Sequence, residues 1–280
     1  MTVVAFGSVR SCGVTTVALA LAATWPPERR VLLVEADPAG GTLAAASGWP
    51  AEPSLVSLAA SARRGGEPGL VWEHCHRLPG DAAVLAAPAL GEQARSALGM
   101  VGPLLGRLGE LDGDALVDCG RLDSGSPSVA LWERAERRVL VVRPRLADLQ
   151  ALVSWVENRS LDRRAELVTV GEGPYPDGEV TDALGVEVLA RMPWDPEAAE
   201  ALISVPASAR LVRLAPLVRA ARTLADRLTL NLAAVPIGDA KPTGSKGVGR
   251  AVAVGSRVWR PWRADIVPHS NGNVAEEAER

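Results

Sequence analysis

Lysine is nearly missing from this chain. Lys241 and Lys246 are the only two in 280 residues, and the other basic residues are arginine. Any phosphate-binding loop in the first 240 residues must therefore work without a resident ammonium group. Cysteine is also scarce. Cys12, Cys75 and Cys119 are odd in number and far apart, which excludes a disulfide framework or a paired CxxC metal site. Among aromatics there is one Phe, one Tyr and eight Trp. No apolar run reaches the roughly 20 residues needed to span a bilayer. The opening MTVVAFGSVR is too short and too soon interrupted for a signal peptide. Both absences, with the unpaired cysteines, lead to the expectation of a cytoplasmic protein. The net charge of -3 argues against a dedicated nucleic-acid binder, which would carry a basic face. No GxSxG elbow accompanies the serines, so a hydrolase triad is not indicated.

Apolar residues make up 48% of the chain, enough for a sizeable core. Short Val/Leu-rich runs alternate with longer helical stretches. Strands are expected at Thr2–Phe6, Arg30–Glu35, Ala82–Ala86, Asp114–Cys119, Arg138–Arg143, Ala165–Gly171 and Val186–Met192. Helices are expected at Thr15–Ala23 and near 91–109, 146–157, 196–203 and 209–231. Strands apolar at every position are buried on both faces, and their alternation with helices predicts βαβ units. The fold class is therefore α/β, a doubly wound, mostly parallel sheet, over residues 1–235. From 236 to 280 the chain is polar and Gly-, Ser- and Pro-rich, the composition of a disordered tail.

In such sheets ligands bind beyond the carboxyl ends of strands, so the turns after strands carry the chemistry. The first reads FGSVRSCGVTT. Its small-residue turn before a helix would present backbone N–H groups to an anion. Five residues separate Gly7 from Gly13, one more than the phosphate-loop pattern G-x-x-x-x-G-K-[ST] allows. Val14 occupies the lysine position, and Thr15 is placed to offer its hydroxyl to magnesium. The second turn follows Glu35 and contains Asp37, Pro38, Gly40 and Gly41. The third follows an apolar strand that ends in Asp118. Thr15, Asp37 and Asp118 together have the oxygen donors for one Mg2+ ion.

These segments resemble the MinD/ParA family of deviant Walker A, SIMIBI-class P-loop ATPases, in the right order over roughly residues 1–232. Gly13, Val14, Thr15 and Thr16 stand where the family has GKTT. Glu35 to Gly41 resembles its DxDPxGG switch segment, and Asp118 its Walker B aspartate. Val139–Pro144 resembles the strand and turn after switch II. Met192, Pro193, Asp195 and Pro196 resemble its IPxDP segment near the adenine. The resemblance implies an ATP–Mg site: Arg10, Ser11, Cys12, Gly13, Val14, Thr15, Thr16, Pro193 and Asp195 at the nucleotide, Thr15, Asp37 and Asp118 at the metal, and Asp37 in a catalytic role. It also implies a homodimer and a partner protein from a pilus, secretion or partitioning machine.

The departures are specific. Val9 stands at the family's signature lysine, Val14 at its P-loop lysine, and Arg10 and Ser11 at two glycines. The asparagine that often follows the sixth strand has no counterpart in LVTVGEGPY. Loops this atypical resemble those of the TadZ/CpaE-like localisation factors. Three readings follow. The first is a positioning or scaffold switch with weak or absent ATP hydrolysis. The second is an unconventional ATPase in which Arg10 or a partner's arginine replaces lysine. The third is an interaction module without nucleotide. His74, Cys75 and His76 supply too few ligands for zinc and are expected to be a plain surface or loop cluster. In the tail, SRVWRPWR with Trp259 and Trp262 is a linker end, a contact for anionic membrane, or a nucleic-acid contact. The membrane reading would place the protein peripherally at a bilayer.

Overall fold

The computed structural model describes residues 2–63, 65–159, 165–203 and 214–230. Eight strands form one sheet: β1 (Val3–Ser8), β2 (Val31–Glu35), β3 (His76–Arg77), β4 (Ala83–Leu85), β5 (Asp114–Arg121), β6 (Arg137–Val142), β7 (Ala165–Val170) and β8 (Val188–Met192). Their spatial order is β3-β4-β2-β5-β1-β6-β7-β8. Every pairing is parallel except the two-residue edge strand β3, which runs antiparallel to β4. The expected doubly wound α/β fold is thus the observed one.

Nine α-helices accompany the strands among the described residues. They are α1 (Val14–Thr24), α2 (Leu43–Ala46), α3 (Leu55–Ala62), α4 (Gly91–Leu105), α5 (Pro127–Arg134), α6 (Leu146–Arg159), α7 (Asp177–Leu184), α8 (Pro196–Ile203) and α9 (Pro216–Leu230). Alternate strand residues serve opposite layers. Val4 and Phe6 join Leu33, Val139 and Val168 in the core under α1, α8 and α9. Ala5, which lies between them, is equally buried and points to the other face, where α5 packs on β1 and β5. Being covered on both sides, β2 is buried at all five positions.

The structure refines several expected boundaries. β1 continues through Gly7 and Ser8, because Gly7 still pairs with Leu140 and Ser8 with Arg121. The helix expected over 91–109 stops at Leu105, two residues after its internal Pro103, and a 3₁₀ turn covers Leu108–Glu110. Two short helices that periodicity does not predict carry clear start signals. Ser54 caps α3 through a capping box with Ser57, and Ser126 caps α5 ahead of Pro127. The expected tail, 236–280, and the start of the helix expected over 209–231 lie outside the described residues.

The order of strands locates the site. The chain leaves β1 for β2 and β4 on one side, returns as β5 beside β1, then crosses to β6, β7 and β8 on the other. The carboxyl end of β1 is the place where these connections diverge, and such a switch point leaves a crevice for ligands.

Candidate functional site

Gly13 ends the loop after β1 and stands at the N-cap of α1 with φ 92. This left-handed conformation suits glycine. No side chain caps α1 and its first turn contains no acidic residue. Its first amides and the positive end of its dipole are left for an anion. Val14 turns away from that mouth: its side chain is 5% exposed and belongs to the apolar core. Cys12 is likewise buried, and burial raises its thiol pKa. Only the backbone of Cys12 and Val14 can therefore serve the loop. Arg10 and Ser11 are exposed, and Arg10 lies 3.9 Å from Asp148, a long pairing for a guanidinium that is 58% exposed.

Across the crevice, β2 and β5 pair with Glu35 opposite Asp118. Asp118 is completely buried. Its Oδ1 accepts from the Gly120 amide at 2.9 Å. Its Oδ2 is buried with no hydrogen-bond partner. Burial pushes its pKa up to about 7, against the opposing pull of the Thr15 hydroxyl and the Gly120 amide. Thr15 is thus near enough to favour the charged carboxylate, although its placement does not complete a hydrogen bond to Oδ2. Asp37 rests directly on Gly120, where a Cβ would fall 2.1 Å from the Asp37 Cγ. Gly120 therefore admits Asp37 beside Asp118. Burial raises the pKa of Asp37 as well, opposed by the Ala39 amide, which donates to Oδ1 at 2.8 Å.

The residues suggested for magnesium thus converge. No group of three His, Cys, Asp or Glu side chains among the described residues is arranged to hold a metal by itself. Two carboxylates and a hydroxyl are nevertheless a suitable partial donor set for Mg2+, which retains waters and completes its shell with phosphate oxygens. The unfilled lone pairs on Asp118 Oδ2 are the observation that fits the ion.

The segment after β8 closes the other side. A pocket of about 170 Å³ is lined by Gly13, Thr16, Met192, Pro193, Trp194 and Asp195, among others. Pro193 and Asp195 thus share this pocket with Gly13 and Thr16. Asp195 also caps α8, its Oδ1 accepting the Ala198 amide at 3.0 Å.

Sequence reasoning passed over Glu35 as a site residue. It is 1% exposed; Oε1 accepts the amides of Thr42 and Leu43, and Oε2 that of Ala87. One carboxylate so ties the Asp37 turn to the end of β4. An acid closing an otherwise apolar strand was the available signal. His74 and His76 are half-buried rather than plainly superficial. Ser57 Oγ lies 2.7 Å from His74 Nδ1, and His76 stacks on Trp49 at 4.7 Å.

No family model matches the chain, and no curated protein matches it in sequence. Solved structures do match. A ParA family ATPase from Chlorobium tepidum aligns with a TM-score of 0.67 at 17% identity, covering 80% of this chain and 98% of that one. The septum site-determining protein MinD of Pyrococcus horikoshii, complexed with Mg-ADP, aligns with 0.64 at 19%, covering 83% and 97%. A chain of the MinC:MinD cell division protein complex of Aquifex aeolicus aligns with 0.56 at 14%, covering 85% and 98%. This chain has the ParA/MinD fold. At such identities the likeness is one of architecture, and the ParA/MinD fold accounts for where the loop, the two aspartates and the pocket sit.

Proposed function

We propose that this protein is a positioning or scaffold switch of the ParA/MinD type that binds ATP–Mg weakly and hydrolyses it slowly or not at all. One observation carries the reading: Thr15, Asp37 and Asp118 gather at the mouth of an anion-ready helix, while the side chain at the lysine position is a buried valine. The loop amides would cradle phosphate, and the pocket beside Pro193 and Asp195 would take the base. Thr15, Asp37 and Asp118 would hold Mg2+, which when bound neutralises charge on the β- and γ-phosphates. Without a fixed ammonium, part of the affinity and part of the transition-state stabilisation are lost. Asp37 is the residue assigned to orient the attacking water. The Mg-ADP in the Pyrococcus horikoshii protein supports the nucleotide. The MinC:MinD complex supports a protein partner. The partner belongs to a pilus, secretion or partitioning machine, in keeping with the TadZ/CpaE-like loop. A homodimer is the acting form, in the cytoplasm or peripherally at the membrane. No helix among the described residues is long and apolar enough to cross a membrane.

The test is thermal denaturation of the full chain with millimolar ATP–Mg, beside a steady-state phosphate-release assay. A ligand at 100 times its Kd stabilises by about 2.7 kcal/mol, so a rise in Tm that Thr15→Ala and Asp118→Asn diminish is expected. Turnover should stay below about 1 per second. Faster release by the isolated protein would overturn the weak-hydrolysis reading. An unmoved Tm would favour a module without nucleotide.

A further inference from the structure

Arg143 follows β6 directly, at the carboxyl end of the strand that pairs with β1. Its Nε is buried and has no hydrogen-bond partner. Its guanidinium lies over the Trp194 ring, 5.2 Å from the centroid. Trp194, in turn, lines the pocket with Gly13 and Thr16. On the loop side, the Arg143 backbone and charge both act on the sulfur of Cys12, the residue before Gly13. Arg143 therefore stands between the phosphate-loop turn and the wall of the pocket.

Two other arginines at the ends of these strands have carboxylate company. Arg10 lies 3.9 Å from Asp148 and Arg121 3.3 Å from Asp123. No carboxylate among the described residues forms an ion pair with Arg143. A guanidinium with a buried, unsatisfied Nε is short of an acceptor. The helix N-terminus beside it is short of an anion, and the fully buried Asp118 keeps a free Oδ2 at the same mouth.

The geometry points to Arg143 as the cation that replaces the missing loop lysine, reaching a nucleotide phosphate from the end of β6 rather than from α1. The inference rests on the proposed nucleotide site. Arginine suits the role because its planar fork binds phosphate through paired charge-assisted hydrogen bonds. The aromatic face of Trp194 holds the guanidinium while leaving its N–H edges free.

The test is calorimetric titration of the full chain with ATP–Mg, using the unaltered protein and Arg143→Ala, Arg143→Gln and Arg143→Lys. The Tm of each variant without ligand is the check on folding. Loss of a hydrogen-bonded charge should weaken binding about tenfold to hundredfold in the Ala and Gln variants, and the Lys variant should recover part of it. If Ala destabilises the protein, Gln retains most of the volume and keeps the comparison. Affinity unchanged in Arg143→Gln, or lysine no better than glutamine, would overturn the assignment and leave the nucleotide site standing. No binding by the unaltered protein would overturn both.

Discussion

At position 14 a buried valine contributes apolar surface where an ammonium would face the phosphates. Val14→Lys separates the two effects. The new side chain must leave the core and snorkel to the mouth. Binding of ATP–Mg should tighten by about tenfold or more, given the roughly 1.5–3 kcal/mol of a charged hydrogen bond, while the Tm of the free protein falls. Equal affinity in calorimetry would show that the loop backbone, not the missing charge, sets the binding. Asp114, at the far end of β5, is a structural acid. Burial alone would raise its pKa, but hydrogen bonds from Arg29 and Trp25 outweigh burial and hold it below the ordinary value. A carboxylate with a lowered folded pKa adds stability above about pH 4, its unfolded value. That stability is lost as pH falls through the folded pKa. Asp114→Asn leaves Arg29 without its buried partner and should cost about 3 kcal/mol in urea denaturation near pH 7. Once the pH has fallen below that lowered folded pKa, the difference from the unaltered protein should shrink.

The turn between β2 and α2 owes its form to close packing as well as to its glycines. Glu35 holds three amides of two segments, and Gly41 has no room for a Cβ because Glu35 Oε2 would lie 2.3 Å from it. Gly120 plays the corresponding part at the end of β5, with φ 59 and Asp37 seated against it. Gly120→Ala should cost about 1–3 kcal/mol for the left-handed backbone and push Asp37 from its place beside Asp118. The expected result is an ATP affinity that depends less on Mg2+ than in the unaltered protein, measured by titration with and without the ion. An undiminished Mg2+ dependence would remove Asp37 from the metal set.

Across the whole molecule, the three thiols report on the integrity of the packing of helices on the sheet. Cys12 and Cys119 are buried within the sheet region, and burial raises the pKa of each. Cys75 is half-buried, with burial pushing it up to about 12. Since the thiolate is the nucleophile, maleimide at pH 7 should label the native protein slowly and all three sites rapidly in denaturant. Fast labelling of Cys119 under native conditions would mean that β5 opens readily. Dimerisation, assigned to the proposed switch, should appear in sedimentation as a mass increase on addition of ATP–Mg.

The chain's own pattern sufficed for the layer class, for most strands and for the position of the small-residue turn between β1 and α1. Burial on both faces of a strand and the small residues of a turn are local properties. The lack of a lysine and the presence of Val14 are likewise plain in the sequence. Its short helices α2, α3, α5 and α7 were hidden because four to eight residues carry little periodicity, whereas the equally short α8 was legible with an Asp195–Pro196 start signal. What only the tertiary structure decided was which distant groups meet. Strand order places β5 between β1 and β2, and so sets Asp118 beside Glu35 and near Thr15. Packing turns Val14 into the core and brings Arg143 against Trp194. Such encounters depend on how segments tens of residues apart bury one another, and no spacing along the chain encodes them directly.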